Sequence, residues 1–316
     1  MSNKKSKRRR QMPSFLFFAQ SGNTMYTFMN TDYSSVSASN REQITTLNIK
    51  TQHCSAEIAL YGAHLLSFIP MSDGRERLWL SPTAVMDKSK PIRGGVPICW
   101  PWFSNISPNN EVNEQLPAHG FVRNQDWHVH AITETQDETV IMLSPNQLGM
   151  FGFSSKILVF VEFTFAETCS IKLITKNASK RSVRITAALH SYFNVNDIHQ
   201  TEIIGIEGEY LDKTRGNAIF KQSRPYLFTG ETDRIHLQSD NQKFELITVN
   251  SNNDYIAIEQ RGHDSVVIWN PWQEKSKTMA DMQDTGYLNM LCIEAAVTQG
   301  IGLAANAKHE LVQIIS

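Results

Sequence analysis

No apolar run in this 316-residue chain approaches the roughly 18 residues that a helix needs to cross a bilayer, so membrane spans and a membrane partner are not expected. Paired cysteines are missing as well. Cys54, Cys99, Cys169 and Cys292 stand far apart with no C-x-x-C spacing, which excludes a zinc ribbon or a redox dithiol and agrees with a cytoplasmic protein. There is no G-x-x-x-x-G-K-[ST] loop for nucleotide phosphates and no H-x-x-x-H helix, and the ten histidines do not cluster with cysteines, so neither metal nor cofactor is expected. Charge of one sign is also scarce. The formal net charge is −1, but six of the thirty basic residues lie in the first ten positions, which leaves the remainder near −7. An acidic body argues against nucleic acid as a partner.

Short alternating runs bounded by turn residues dominate from residue 41 onward. ITTLNIK (44–50), HLLSFIP (64–70), ILVFVEFTFA (157–166), VRITAALH (183–190), SVVIW (265–269), MLCIEAAV (290–297) and HELVQII (309–315) are examples. Phe163 and Phe165 alternate with Thr164, a period of two that buries one face. Convincing helices are almost absent, and no repeat of fixed period suggests a propeller. Many strands without helical crossovers predict an all-β protein of large antiparallel sheets packed as a sandwich. Residues 1–40 read as a poorly ordered basic leader and 41–316 as one domain. PSFLFFA after the basic tip has the order of a secretory signal, but its apolar run is too short. SNISPNNEVNEQLP (104–117) reads as a surface loop.

Four polar stretches are too particular for plain scaffold. KPIRGGVPICWPWF (90–103) sets Arg93 beside two glycines, three prolines and two tryptophans. LPAHGFVRNQDW (116–127) carries His119 and Arg123 around Gly120. Two guanidinium forks in separate glycine-containing loops suit one anion, although each arginine alone reads sooner as a surface or ion-paired residue than as a ligand. In ALHSYFNVNDI (188–198), His190 ends an alternating strand, where it is either a proton-exchanging group or a structural histidine. In MLCIEAAV, Glu294 interrupts an apolar strand, and a carboxylate in that position has a partner, a purpose or a way out to water. Asp233 in TGETDRIH (229–236) caps a turn or faces a ligand. WNPWQEKSKTMADM (269–282) offers Trp269 and Trp272 as sugar-stacking or core aromatics.

In this order the stretches resemble the glucose-6-phosphate 1-epimerases, the hexose-6-phosphate mutarotases of the aldose 1-epimerase superfamily, from about residue 44 onward. The resemblance implies a galactose-mutarotase-like β-supersandwich. It further implies His190 and Glu294 as catalytic residues, Arg93, Arg123, Asp233 and His119 as substrate-binding residues, a hexose 6-phosphate as the small-molecule partner, and a monomer. Ala118 stands where some members have Gln, and Ala295 and Ala296 stand where many have Pro-Gly.

The implied chemistry is ring opening. Glu294 takes the proton of O1 while protonated His190 delivers one to the ring oxygen O5, the two groups flanking the ring. The aldehyde turns about C1–C2, and the roles reverse on closure. Arg93 and Arg123 would hold the 6-phosphate in a loop whose glycines admit it, with tryptophans of WPWF or WNPW against the sugar face. An aldose 1-epimerase of unphosphorylated hexoses and a non-catalytic carbohydrate-binding sandwich are the competing readings.

Overall fold

The computed structural model describes residues 35–105, 116–239 and 243–316. The basic tip, PSFLFFA and most of the 104–117 loop lie outside the described residues. Strand β1 (Val36–Arg41) shows that sheet structure begins inside the stretch read from composition as leader. With β2 (Ile44–Lys50), β3 (Cys54–Ala59) and β4 (His64–Pro70) it forms a four-stranded meander. A two-residue strand, β5 (Ile98–Cys99), opens a second sheet. The next four strands, β6 (Trp127–Glu134), β7 (Thr139–Pro145), β8 (Ile157–Phe165) and β9 (Cys169–Asn177), run as hairpins in a third.

From there the chain passes back and forth between the two large sheets. β10 (Val183–Leu189) and β11 (Tyr192–Asn194) join the second, and β12 (Thr201–Ile204) joins the third. β13 (Gly208–Asp212), β14 (Ala218–Gln222) and β15 (Thr232–Leu237) return to the second sheet. β16 (Leu246–Ser251) and β17 (Asp254–Arg261) extend the third. β18 (Ser265–Asn270), helix α1 (Trp272–Lys277), β19 (Met290–Leu303) and β20 (Lys308–Ile315) complete the order, with β19 in the second sheet and β20 in the third. All strand pairs within the sheets are antiparallel, as the missing crossover helices required. Among the described residues, no helix is long and apolar enough to cross a membrane.

The sandwich core follows from the alternation read in the sequence. In β8, Ile157, Val159, Val161, Phe163 and Phe165 are buried while the residues between them are half-exposed. Burying each such side chain contributes about 1.5–3 kcal/mol, enough over five positions to fix the register of the strand. β19 departs from this pattern: its first eight residues are all buried. One face of β19 meets the third sheet, and the other carries Cys292 and Glu294 beside Tyr192 and His190.

Candidate active site

Directly opposed residues of adjacent strands share a face. The register pairs Asp233 of β15 with Trp269 of β18, Trp269 with Cys292 of β19, and Cys292 with Tyr192 of β11. These four therefore form one row across the outer face of the second sheet. Glu294 lies two residues beyond Cys292 on that same face. His190, between β10 and β11, stacks on Tyr192 with ring centroids 5.0 Å apart and meets Trp269 edge-on at 6.3 Å. Its Nδ1 lies 3.4 Å from Glu294 Oε1.

The 91–99 segment flanks the strand that carries His190. Pro97 O accepts the His190 N–H at 3.0 Å, Gly95 O accepts the Tyr192 N–H at 2.9 Å, and Ile98 and Cys99 pair with Leu189 and Ala188. Gly94 and Gly95 both have positive φ, and a Cβ on Gly94 would meet Trp79 O at 2.5 Å. The pair of glycines thus serves the close approach of this segment to the chain's own backbone, which corrects the expectation that they make room for a phosphate. Arg93 leaves the segment to donate from Nη1 to Tyr192 Oη at 2.9 Å and from Nη2 to Asp281 Oδ2 at 3.1 Å.

His119 approaches from the second loop, its ring 5.6 Å from that of His190 and 4.9 Å from that of Phe103. Its Nδ1 accepts the Ser104 N–H at 3.3 Å, which leaves the proton on Nε2 as a donor. Arg123 donates from Nη2 to Ala118 O at 2.8 Å and so braces this loop. On the far side, Lys213 lies 3.2 Å from Asp233 Oδ2. Lys213 sits in a single 3-10 turn that Asp212 caps through the Thr214 N–H.

Burial sets the electrostatics. It drives the His190 imidazole well below its usual pKa, with His119, Arg123 and Arg93 adding to the shift. It drives the Glu294 carboxyl well above its usual range, reinforced by Asp233 and opposed by Lys213 and Arg123. His119 is pushed down to about 3, first by burial and then by Arg123, Lys213 and Arg93. Burial also raises Asp233, against the pull of Lys213. For Arg93, Tyr192 and Asp281 together outweigh burial and hold the guanidinium charged. Burial thus favours a neutral His190 beside a protonated Glu294, with one exchangeable proton for the pair. Among the described residues, eight buried side-chain polar atoms lack a hydrogen-bond partner. Half of them are here: Arg93 Nε, Arg123 Nε, His190 Nδ1 and Glu294 Oε2. Buried polar atoms without partners carry a desolvation cost, and their gathering beside one another singles out this region.

The six residues singled out from sequence thus gather around the His190–Glu294 pair, and two further corrections follow. Trp100 and Trp102 do not wall it. Both are buried, donate to Thr175 Oγ1 and Pro117 O, and pack with Phe121 and Phe153, so of the aromatics considered for a sugar face Trp269 is the one beside His190. Nor do His190 and Glu294 stand on opposite sides of a ring: Nδ1 and Oε1 lie 3.4 Å apart, too close for a pyranose between them. Sequence reasoning missed Lys213, Asp281 and Tyr192, which lie in charged or aromatic strings that resemble ordinary surface or core. Donor atoms of His190, Cys292 and Glu294 all lie within 4.8 Å of one another, the group of metal-ligand types found among the described residues. A second depression of about 220 Å³ beside Arg75, Arg77, Asn194 and Asp254 is a weaker candidate, because its arginines are already paired with Asp73 and Asp254.

Residues 45–316 match the model of the family described as aldose 1-epimerase. This chain belongs to that family. A protein of Escherichia coli strain K12 named "Putative glucose-6-phosphate 1-epimerase" is 32% identical over 260 residues, covering 81% of this chain and 84% of the relative. A plant relative of the same name, from Cenchrus ciliaris, is 30% identical over 78% of this chain and 76% of its own. Among solved structures, a "putative mutarotase" of Salmonella typhimurium superposes with a TM-score of 0.81 at 27% identity, over 91% of this chain and 95% of that one. A galactose mutarotase-like protein of Clostridium acetobutylicum, at 14% identity and a TM-score of 0.65, shares the fold. The expected mutarotase-like β-sandwich is therefore the observed one, and the family is one of epimerases acting at the anomeric carbon.

Proposed function

We propose that this protein interconverts the α and β anomers of a hexose 6-phosphate, with glucose 6-phosphate as the expected substrate. The observation that carries the reading is the buried His190–Glu294 pair, Nδ1 and Oε1 3.4 Å apart, with the charges of Arg93 and Arg123 bearing on His190 and those of Lys213 and Arg123 on Glu294. Glu294 takes the O1 proton as C1–O1 becomes a carbonyl. The C1–O5 bond breaks, its electron pair goes to O5, and His190 supplies the proton there. After rotation about C1–C2 the same steps run backwards and close the ring on the other face.

For this direction of transfer the shared proton must move from Glu294 to His190 when the sugar enters, and hydrogen bonds from its hydroxyls to the carboxylate favour that move. The cationic residues would receive the phosphate. Asp233 and His119 Nε2 would orient the ring hydroxyls, with Trp269 against its apolar face. A substrate of this kind fits a cytoplasmic monomer working without a cofactor.

One observation favours an unphosphorylated hexose instead: Arg93 and Lys213 already have carboxylate partners in Asp281 and Asp233. Exchange spectroscopy by NMR on an equilibrium mixture of anomers tests the catalytic assignment. His190→Ala and Glu294→Gln should each slow exchange by about 10²- to 10⁴-fold. Exchange at the wild-type rate in either variant would sink it.

A further inference from the structure

Gln313 is fully buried in β20, between Leu311 and Ile315 on the face that meets the second sheet. An amide in such a position is a liability unless it is bonded, and an apolar residue would fill the site at lower risk. Its bonds cross the sandwich. Nε2 donates to Ile293 O at 3.0 Å, and Oε1 accepts from Ser191 Oγ. The orientation is fixed chemically, since a backbone carbonyl can only accept and the NH₂ must therefore face Ile293. Gln260, opposite Gln313 in the register and equally buried, braces the amide from its own sheet at 3.5 Å.

Ser191 and Ile293 are the neighbours of the catalytic pair. His190 immediately precedes Ser191, and Glu294 immediately follows Ile293. Side chains alternate across a strand, so while Glu294 faces His190, Ile293 and its surroundings face the interior where Gln313 reaches them. The Ile293 N–H also donates to Ser191 O at 3.2 Å, which makes the two segments neighbours through both backbone and the Gln313 amide. Besides the weak bond to Gln260, the contacts that account for an amide here rather than a methionine or leucine are those to Ser191 and Ile293.

We propose that Gln313 is a positioning residue: from behind the sheet it clamps Ser191 to Ile293 and so sets the separation of His190 and Glu294. It touches neither substrate nor reacting atom. The proposal rests on the reading of His190 and Glu294 as the acid/base pair, and its consequence is specific. Loosening the clamp moves two proton-transfer groups relative to one another and leaves the cations that would hold the substrate where they are. Chemistry is then impaired while binding is retained.

The test is Gln313→Met, which conserves volume, with Ser191→Ala as the milder variant that removes one arm only. Gln313→Met should lower kcat by about 10- to 100-fold with KM within about two-fold, and Ser191→Ala should do the same to a smaller extent. The ¹⁵N resonances of the His190 ring, which report its hydrogen bonding without turnover, should shift in both. Should Gln313→Met fail to fold, Ser191→Ala carries the measurement alone. Wild-type kcat, KM and His190 resonances accompanied only by a lower melting temperature would show a purely structural glutamine and overturn the proposal. Absence of turnover in the wild type would count against the proposed function, and the His190 resonances would still decide whether the clamp exists.

Discussion

Glu294 and His190 hold a single proton in an environment that resists any charge, and pH reveals this in two ways. Burial lowers His190 and raises Glu294, so the one-proton form spans the interval between the depressed imidazole and the elevated carboxyl. The rate of anomer exchange should therefore be flat across neutral pH, falling on the acid side as His190 gains a second proton for the pair and on the alkaline side as Glu294 loses the only one. Stability gives the complementary signal. The folded carboxyl keeps its proton above pH 4.5, where an unfolded one releases it, so Glu294 costs nothing below that pH and increasingly opposes folding above it. Glu294→Gln should melt at a higher temperature than the wild type at pH 8, with the gap closing as the pH falls towards 4.5. The glutamate and histidine were legible in the sequence because each breaks an apolar or alternating pattern. Lys213 was not: KTR after Asp212 looks like any solvated turn, and only the sheet brings it to 3.2 Å from Asp233.

The 91–99 segment works as a short edge strand whose carbonyls fix His190 and Tyr192 by their N–H groups. Gly95, at φ 60°, would put a Cβ into the carbonyl of Leu65 and against the His64 ring at 2.8 Å. Gly95→Ala should accordingly destabilise the fold by more than about 1 kcal/mol and lower kcat as well, because the displaced carbonyl at 95 is the one that holds Tyr192. Denaturant titration paired with exchange kinetics checks both effects. Sequence pattern identified this stretch as a rigid loop of functional weight but misread the work of its parts. Tryptophans beside a candidate site look like a sugar platform, whereas Trp100 and Trp102 find indole N–H partners and aromatic neighbours in the core. The long alternating strands β2, β4 and β8 were legible almost to the residue. β5 and β11 span two and three residues, too few for any periodicity, and β15 reads TDRIHL, whose buried positions are the polar Thr232 and His236, so no apolar alternation marks it.

On the scale of the whole molecule, four histidines besides His190 are driven far below the usual imidazole pKa by the fold. Burial is the first cause in each case: it takes His64 and His263 down to about 4 and His119 and His236 to about 3. An unfolded chain takes up protons at these positions near 6.5, the folded one only much lower, so stability should decline as pH drops from about 6.5 towards 4. Urea midpoints at pH 7 and pH 4.5 measure the loss, and His236→Phe should reduce it. The all-β architecture could be read from strand count and missing helices, since two-residue periodicity survives in any sequence that buries one sheet face. The convergence of loops from residues 93, 119, 123 and 213 could not, because their meeting depends on how β10 to β19 cross the second sheet. The cations those loops deliver make phosphate recognition the central claim. Exchange rates for glucose 6-phosphate and galactose, measured side by side in wild type and Arg93→Ala, test it most directly. The account predicts at least a 100-fold larger kcat/KM for the phosphorylated sugar, narrowed by about ten-fold or more in the variant through KM. Galactose turned over as efficiently as glucose 6-phosphate, or a preference untouched by loss of Arg93, would contradict it.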